Sequence, residues 1–173
     1  MKIPFAKSER STVGIEWELA LVDADSGDLR QVAQTVLDAV APQDGSEHPT
    51  IKQELLLNTV EIATGVCRTV AEAGTDLQRS IAEIRRVTDP LRVELMCAGT
   101  HPFARWNQQK VTDKQRYATL IERTQWWGRQ MLIYGVHVHV GIEDRDKVLP
   151  IQRAMLTAFA HLQSLSEIGR AHV

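Results

Sequence analysis

A chain of 173 residues, 43% hydrophobic and 24% charged, is long enough to bury one sizeable core and is expected to form one domain. Its net charge of -2 offers no cationic footprint, so neither nucleic acid nor an anionic membrane surface is expected as a partner. No stretch approaches the roughly 18 apolar residues of a membrane span, the first ten residues hold no apolar signal core, and the two cysteines lack Cys-x-x-Cys spacing, which together read as a cytoplasmic protein without a disulfide framework.

Residues 11–22 alternate, with Val13, Ile15, Trp17 and Leu19 on one face and Gly14, Glu16, Glu18 and Ala20 on the other. The pattern predicts a strand with an acidic face, its two carboxylates spaced roughly 6 to 7 Å apart. Asp25-Ser26-Gly27-Asp28 predicts a turn, and residues 31–41 carry Val32, Val36, Leu37 and Val40 at helical spacing until Pro42 ends the run. A polar loop follows over 42–49. In 50–64, Glu54 and Glu61 stand seven apart, a spacing that shares a helix face but falls on opposite faces of an unbroken strand. Asn58 between them suits a turn or bulge that reorients the second half.

Thr69-Val70-Ala71-Glu72 reads as a capping box, and Val70, Ala73, Leu77, Ile81 and Ile84 continue a helix to Asp89-Pro90. Leu91, Val93, Leu95 and Cys97 alternate in a short strand that opens onto the polar loop Ala98-Gly99-Thr100-His101-Pro102-Phe103, a position suited to holding substrate. Both cysteines read as small core residues. Thr112 and Gln115 predict a second capping box and a helix to Trp127, with Arg116 near its start able to reach a carboxylate or phosphate. Residues 131–142 alternate again, placing His137 and His139 on one face and Val136, Val138 and Val140 on the other. Beyond Pro150, residues Ile151, Met155, Ala158, Leu162 and Leu165 mark an amphipathic helix. The tail 166–173 matches no element and is set apart from a domain spanning 1–165. Strands and helices in this order predict an α+β fold around a largely antiparallel sheet.

The chemistry lies in Glu16, Glu18, Glu54, Glu61, His137 and His139 on otherwise apolar segments. Buried carboxylates repel one another and each loses several kcal/mol of hydration unless paired or bound to metal, so a cation is expected among them. An oxygen-rich donor set suits Mg²⁺ or Mn²⁺. Each group has a plainer reading: a solvated strand face for Glu16 and Glu18, satisfied core imidazoles for the His pair, and packing for Trp106, Trp126 and Trp127. Arg116, Arg123 and Arg129 can likewise form a solvated helix face.

Taken together, Val13-Gly14-Ile15-Glu16-Trp17-Glu18, the Glu54 to Gly65 stretch, Ala98-Gly99-Thr100-His101-Pro102 and Gly135-Val136-His137-Val138-His139-Val140-Gly141 resemble the type 2 glutamate–cysteine ligase family of carboxylate–amine ligases. The resemblance implies a glutamine synthetase-like fold, a curved antiparallel sheet with helices on one face. It implies ATP-dependent amide formation, in which a glutamate carboxylate is phosphorylated and cysteine or another amine displaces phosphate, with ATP and Mg²⁺ or Mn²⁺ as cofactors. Carried over by motif, Glu16, Glu18, Glu54, Glu61 and His137 would be metal ligands. His139 would lie near the ATP phosphates, and Thr100 and His101 at the amino-acid substrate, where Arg116 is a further candidate.

Family members are longer, so the chain is expected to correspond to an N-terminal portion that is weak or inactive alone and exposes apolar area suited to a homodimer. The competing readings are a metal-dependent hydrolase built on His-x-His and a non-catalytic ligand-binding or dimerising fragment.

Overall fold

The computed structural model describes residues 4–166, so the tail beyond Ser166 lies outside the described residues. The fold is organised on one long strand. Strand β1 (Val13–Asp23) has 11 residues, enough to hold three antiparallel neighbours. Helix α1 (Ala33–Val40) and the short β2 (Ile51–Gln53) lead to β3 (Thr59–Ala63), which pairs with β1 from Glu16 opposite Ala63 to Ala20 opposite Thr59. Strand β2 pairs on the outer side of β3. Helix α2 (Val70–Thr88) is followed by β4 (Val93–Met96), which pairs with the C-terminal half of β1. Helices α3 (Gln115–Thr124) and α4 (Trp126–Arg129) precede β5 (Val136–Val140), which pairs with the N-terminal half. The result is an α+β fold with an antiparallel sheet, closed in sequence by α5 (Val148–Thr157) and α6 (Phe159–Ser166).

Alternation along β1 divides the sheet into two faces. Leu19 and Leu21, with Val60 and Ile62 of β3, are buried against Val36 and Val40 of α1 and Ile84 of α2, with Trp17 packed at the margin. Each such side chain removed from water contributes about 1.5–3 kcal/mol. On the other face, Ala20 and Val22 join Leu55, Leu56, Tyr117, Leu132 and Tyr134 in a second cluster. Glu16 and Glu18 share the face of this second cluster.

The Thr69 cap forms as the spacing predicts, with the Glu72 amide donating to Thr69 Oγ1 at 3.1 Å, while the Glu72 carboxylate reaches one residue past the cap and accepts the Arg68 amide at 2.7 Å. The second box does not form. Helix α3 begins after Lys114 with no side-chain cap, and Thr112 instead donates its hydroxyl to the Glu54 carbonyl at 2.7 Å. The helix also stops short of Trp127, because Gln125 takes a left-handed φ of 51° that no α-helix continues through. Pro150 sits inside the first turn of α5, where its missing amide needs no helical partner, so the helix begins two residues ahead of it. The apolar residues Leu149, Met155, Leu156, Phe159 and Leu165 of α5 and α6 are exposed, as are Trp126 and Trp127. Cys67 is buried as expected, but Cys97 is exposed at the end of β4.

Candidate active site

Pairing register brings the acidic and imidazole residues to one face. Glu18 stands directly opposite Glu61 on β3, and Glu16 stands directly opposite His137 on β5, so neighbouring positions of β1 face an acid on one side and an imidazole on the other. The ambiguity over Glu54 and Glu61 is resolved by a reversal of the chain: β2 ends at Gln53, residues 54–58 form a loop, and β3 returns antiparallel. Glu54, at the head of that loop, is thereby turned toward Glu61 and Glu18. One carboxylate oxygen from each of Glu18, Glu54 and Glu61 lies within 4.8 Å of the others.

The loop is fixed by main-chain contacts. Thr112 holds the Glu54 carbonyl, its amide donates to the Leu55 carbonyl at 2.8 Å, and the Leu57 amide donates to Lys110 at 2.9 Å. The Leu55 amide donates to Glu54 Oε2 at 2.9 Å, and the Gly135 amide donates to Glu18 Oε2 at 2.7 Å. Burial pushes the Glu18 carboxyl above its ordinary range, opposed by the Gly135 amide and reinforced by the charge of Glu54. Burial also raises Glu61, and the charges of Glu54, Glu16 and Glu18 add to the rise. The raised Glu18 and Glu61 carboxyls are complementary to a cation, and the all-oxygen chemistry of the cluster matches a hard divalent ion.

Glu16 has the opposite environment. His139 Nε2 lies 3.1 Å and His137 Nδ1 3.6 Å from Glu16 Oε2. The hydrogen bond from His139 lowers the Glu16 carboxyl below its ordinary value, against a smaller desolvation effect and with help from the charges of both imidazoles. The predicted residues therefore form two adjoining groups: Glu18, Glu54 and Glu61 together, and Glu16 with both histidines.

The remaining candidates occupy different surroundings. Arg116 stacks over the Tyr117 ring at 4.4 Å and donates to the Tyr117 hydroxyl and to the Gln53 carbonyl. It shares a cleft of about 530 Å³ with Lys52, Lys114, Glu54 and Glu61, so basic side chains line the outer approach to the acids. A larger cleft of about 770 Å³, lined by Leu56, Trp106, Val111, Ile121 and Arg129, contains none of the site carboxylates. Thr100 donates its hydroxyl to the Leu132 carbonyl at 2.7 Å. His101 is buried, with Nε2 2.9 Å from the Gly27 carbonyl and Nδ1 accepting the amides of Ala104 at 3.0 Å and Phe103 at 3.4 Å. Main chain thus occupies both ring nitrogens, and His101 shapes its loop rather than presenting a nitrogen to solvent.

Sequence reading did not single out Lys52, Lys114, Tyr134 or the Gly135 amide for the site. Lys52 faces Glu61 across the β2–β3 pair, a relation visible only once the register is known.

The model of glutamate-cysteine ligase family 2 matches residues 12–166. A relative in Arthrobacter sp. (strain FB24), named among the type 2 glutamate–cysteine ligases, is 59% identical over 171 residues, covering 96% of this chain and 45% of its own. One from Leifsonia xyli subsp. xyli with the same kind of name is 59% identical over 165 residues, covering 95% and 44%. The chain thus spans less than half the length of the curated relatives it matches. Among solved structures, a glutamate–cysteine ligase from Francisella tularensis in complex with AMP superposes with a TM-score of 0.63 at 15% identity, covering 88% of this chain and 31% of that one. A bifunctional glutathione synthetase from Pasteurella multocida gives 0.58 at 16%, covering 84% and 18%. These two likenesses show a shared fold, and the match over residues 12–166 shows the lineage: the chain belongs to glutamate-cysteine ligase family 2.

Proposed function

We propose that this chain provides the carboxylate and imidazole face of an ATP-dependent glutamate–cysteine ligase centre. The observation that carries the reading is the convergence of Glu18, Glu54 and Glu61, two of them with raised carboxyls, beside Glu16 and its two histidines. In this reading Glu16, Glu18, Glu54, Glu61 and His137 would hold Mg²⁺ or Mn²⁺. The bound ion supplies charge neutralisation for phosphate oxygens in phosphoryl transfer.

The chain's own side chains would bind and orient the reactants. His139, oriented by Glu16, would lie near the ATP phosphates, and the AMP complex of the Francisella neighbour agrees with nucleotide use on this fold. Arg116, with Lys114 and Lys52 around the same cleft, offers cationic partners for an amino-acid carboxylate, and the acids opposite attract an ammonium group. Thr100 and His101 then serve the amino-acid site through the loop they shape. The side-chain carboxylate of glutamate takes the γ-phosphoryl group with release of ADP, and the amine of cysteine, or of another acceptor, displaces phosphate to form the amide. Small molecules are the partners in this reading, the compartment is the cytoplasm, and the exposed apolar residues of β5, α5 and α6 suit pairing as a homodimer. No helix among the described residues is long and apolar enough to cross a membrane.

Calorimetric titration of ATP in the presence and absence of Mg²⁺, followed by phosphate release with glutamate plus cysteine, tests the reading. Mg²⁺-dependent nucleotide binding is expected from this chain, with turnover weak in the 173-residue form and strong in a form of the relatives' length. Nucleotide binding indifferent to Mg²⁺ in both forms would overturn it.

A further inference from the structure

The second apolar cluster contains a polar contact that the reaction does not use. Asn58 is fully buried at the end of the loop that begins with Glu54 and three residues before Glu61. Its side-chain oxygen accepts the Thr59 hydroxyl at 2.8 Å and the Tyr134 hydroxyl at 3.3 Å, and its amide donates to Gln109 at 2.9 Å. Its main-chain carbonyl accepts the Leu21 amide of β1 at 2.8 Å. Tyr134, also buried, immediately precedes Gly135, whose amide holds Glu18. Strand β1 passes between these two segments, and the buried Ala20 of the same cluster presents only a methyl group beside the tyrosine. Two of the three clustered carboxylates ride on the Asn58 segment, and the third is gripped from the Tyr134 segment.

We propose that the Tyr134 to Asn58 hydrogen bond is a positioning latch that sets Glu18 against Glu54 and Glu61, and so tunes the affinity of the cluster for a divalent cation. The inference rests on reading those carboxylates as a cation site and adds residues that touch no ligand. The latch is insensitive to pH over the physiological range, because burial keeps the Tyr134 phenol protonated as a donor. A charged latch would compete with the acids it positions.

Tyr134→Phe keeps the ring and removes only the hydroxyl, while Thr59 still satisfies the Asn58 oxygen. The folded variant is expected to bind Mn²⁺ about 3- to 10-fold more weakly than the wild type, the range spanned by one neutral buried hydrogen bond. The temperature coefficient of its Gly135 amide proton is expected to become more negative as the contact to Glu18 lengthens, a signature that a loss of stability elsewhere would not produce. If Tyr134→Phe fails to fold, 3-fluorotyrosine labelling of the wild type gives a second reading, since the chain has two tyrosines and hence two resonances. The Tyr134 signal is then expected to shift on Mg²⁺ saturation, and one that ignores Mg²⁺ would count against the latch. A wild-type chain that binds no Mn²⁺ overturns the cation reading and the affinity claim with it. A wild type that binds, beside a variant with equal affinity and an unchanged Gly135 temperature coefficient, overturns the latch alone.

Discussion

Glu16 and His139 meet at 3.1 Å, although the direct cross-strand partner of Glu16 is His137, whose Nδ1 is farther away at 3.6 Å. The carboxylate leans diagonally along β5 and takes its shorter bond from the second imidazole. This contact makes Glu16 a source of pH-dependent stability. Its carboxyl is lowered in the folded state, so the contribution is fully present above the ordinary value of 4.5 and is lost as pH falls through the folded value. Thermal midpoints of wild type and Glu16→Gln are expected to differ at pH 6 and to converge as pH falls through the folded value of the carboxyl, the sense of change that linkage requires for a lowered carboxyl.

Glu18 and Glu61 carry the opposite sign. Their carboxyls are raised, so ionising them costs stability above their folded values, and the cost disappears as pH falls below 4.5. Glu18→Gln and Glu61→Gln are therefore expected to raise the thermal midpoint of the metal-free chain at pH 7, by roughly 2–4 °C for each ~1 kcal/mol relieved. Both should weaken Mn²⁺ binding at the same time. Calorimetric scans with and without Mn²⁺ check the pair of effects, and a fall in the metal-free midpoint of both variants would contradict the repulsion argument.

Thr112 links the α3 region to the acid-bearing loop. Thr112→Val preserves its shape but removes the donor to the carbonyl of half-buried Glu54, and losing such a hydrogen bond costs about 0.5–1.5 kcal/mol. Urea denaturation is expected to show that loss, accompanied by weaker Mn²⁺ binding than a surface control of equal stability.

His101 and Arg116 separate a loop organiser from a ligand-facing group. His101→Ala should lower stability by about 1–3 kcal/mol through its lost main-chain bonds, with little change in KM beyond what loosening of the loop causes. Arg116→Ala should leave the urea midpoint nearly unchanged and raise the KM for the amino-acid substrate in a form of the relatives' length, measured by steady-state phosphate release. A KM insensitive to Arg116 would remove it from the substrate site.

Period-two alternation was enough to place Glu16 and Glu18 on one face and the two histidines together, because side-chain direction in a strand is a local property. The α2 helix was legible for the same reason, its cap and apolar spacing being written within 20 consecutive residues. Three features lay beyond local pattern. The meeting of Glu18 with Glu61 depends on register between distant strands, and Thr112 forgoes a local cap for a bond 58 residues away. The division of the imidazoles from the carboxylate trio depends on which strand lies on which side of β1. The residue pattern singled out the acids and imidazoles and resemblance assigned their roles, but their grouping required the pairing.

The two sides of this site are anchored unequally. Glu18 and Glu61 belong to strands whose apolar neighbours are buried in the main core, whereas all five residues of β5, including Val136, Val138 and Val140, remain exposed. Local opening follows local burial, so amide hydrogen exchange should be fastest along β5 and slowest along β3. The acidic half is thus a stiff template, while the imidazole half rides on a strand free to breathe, and any ligand bridging both would quench that motion as it settles.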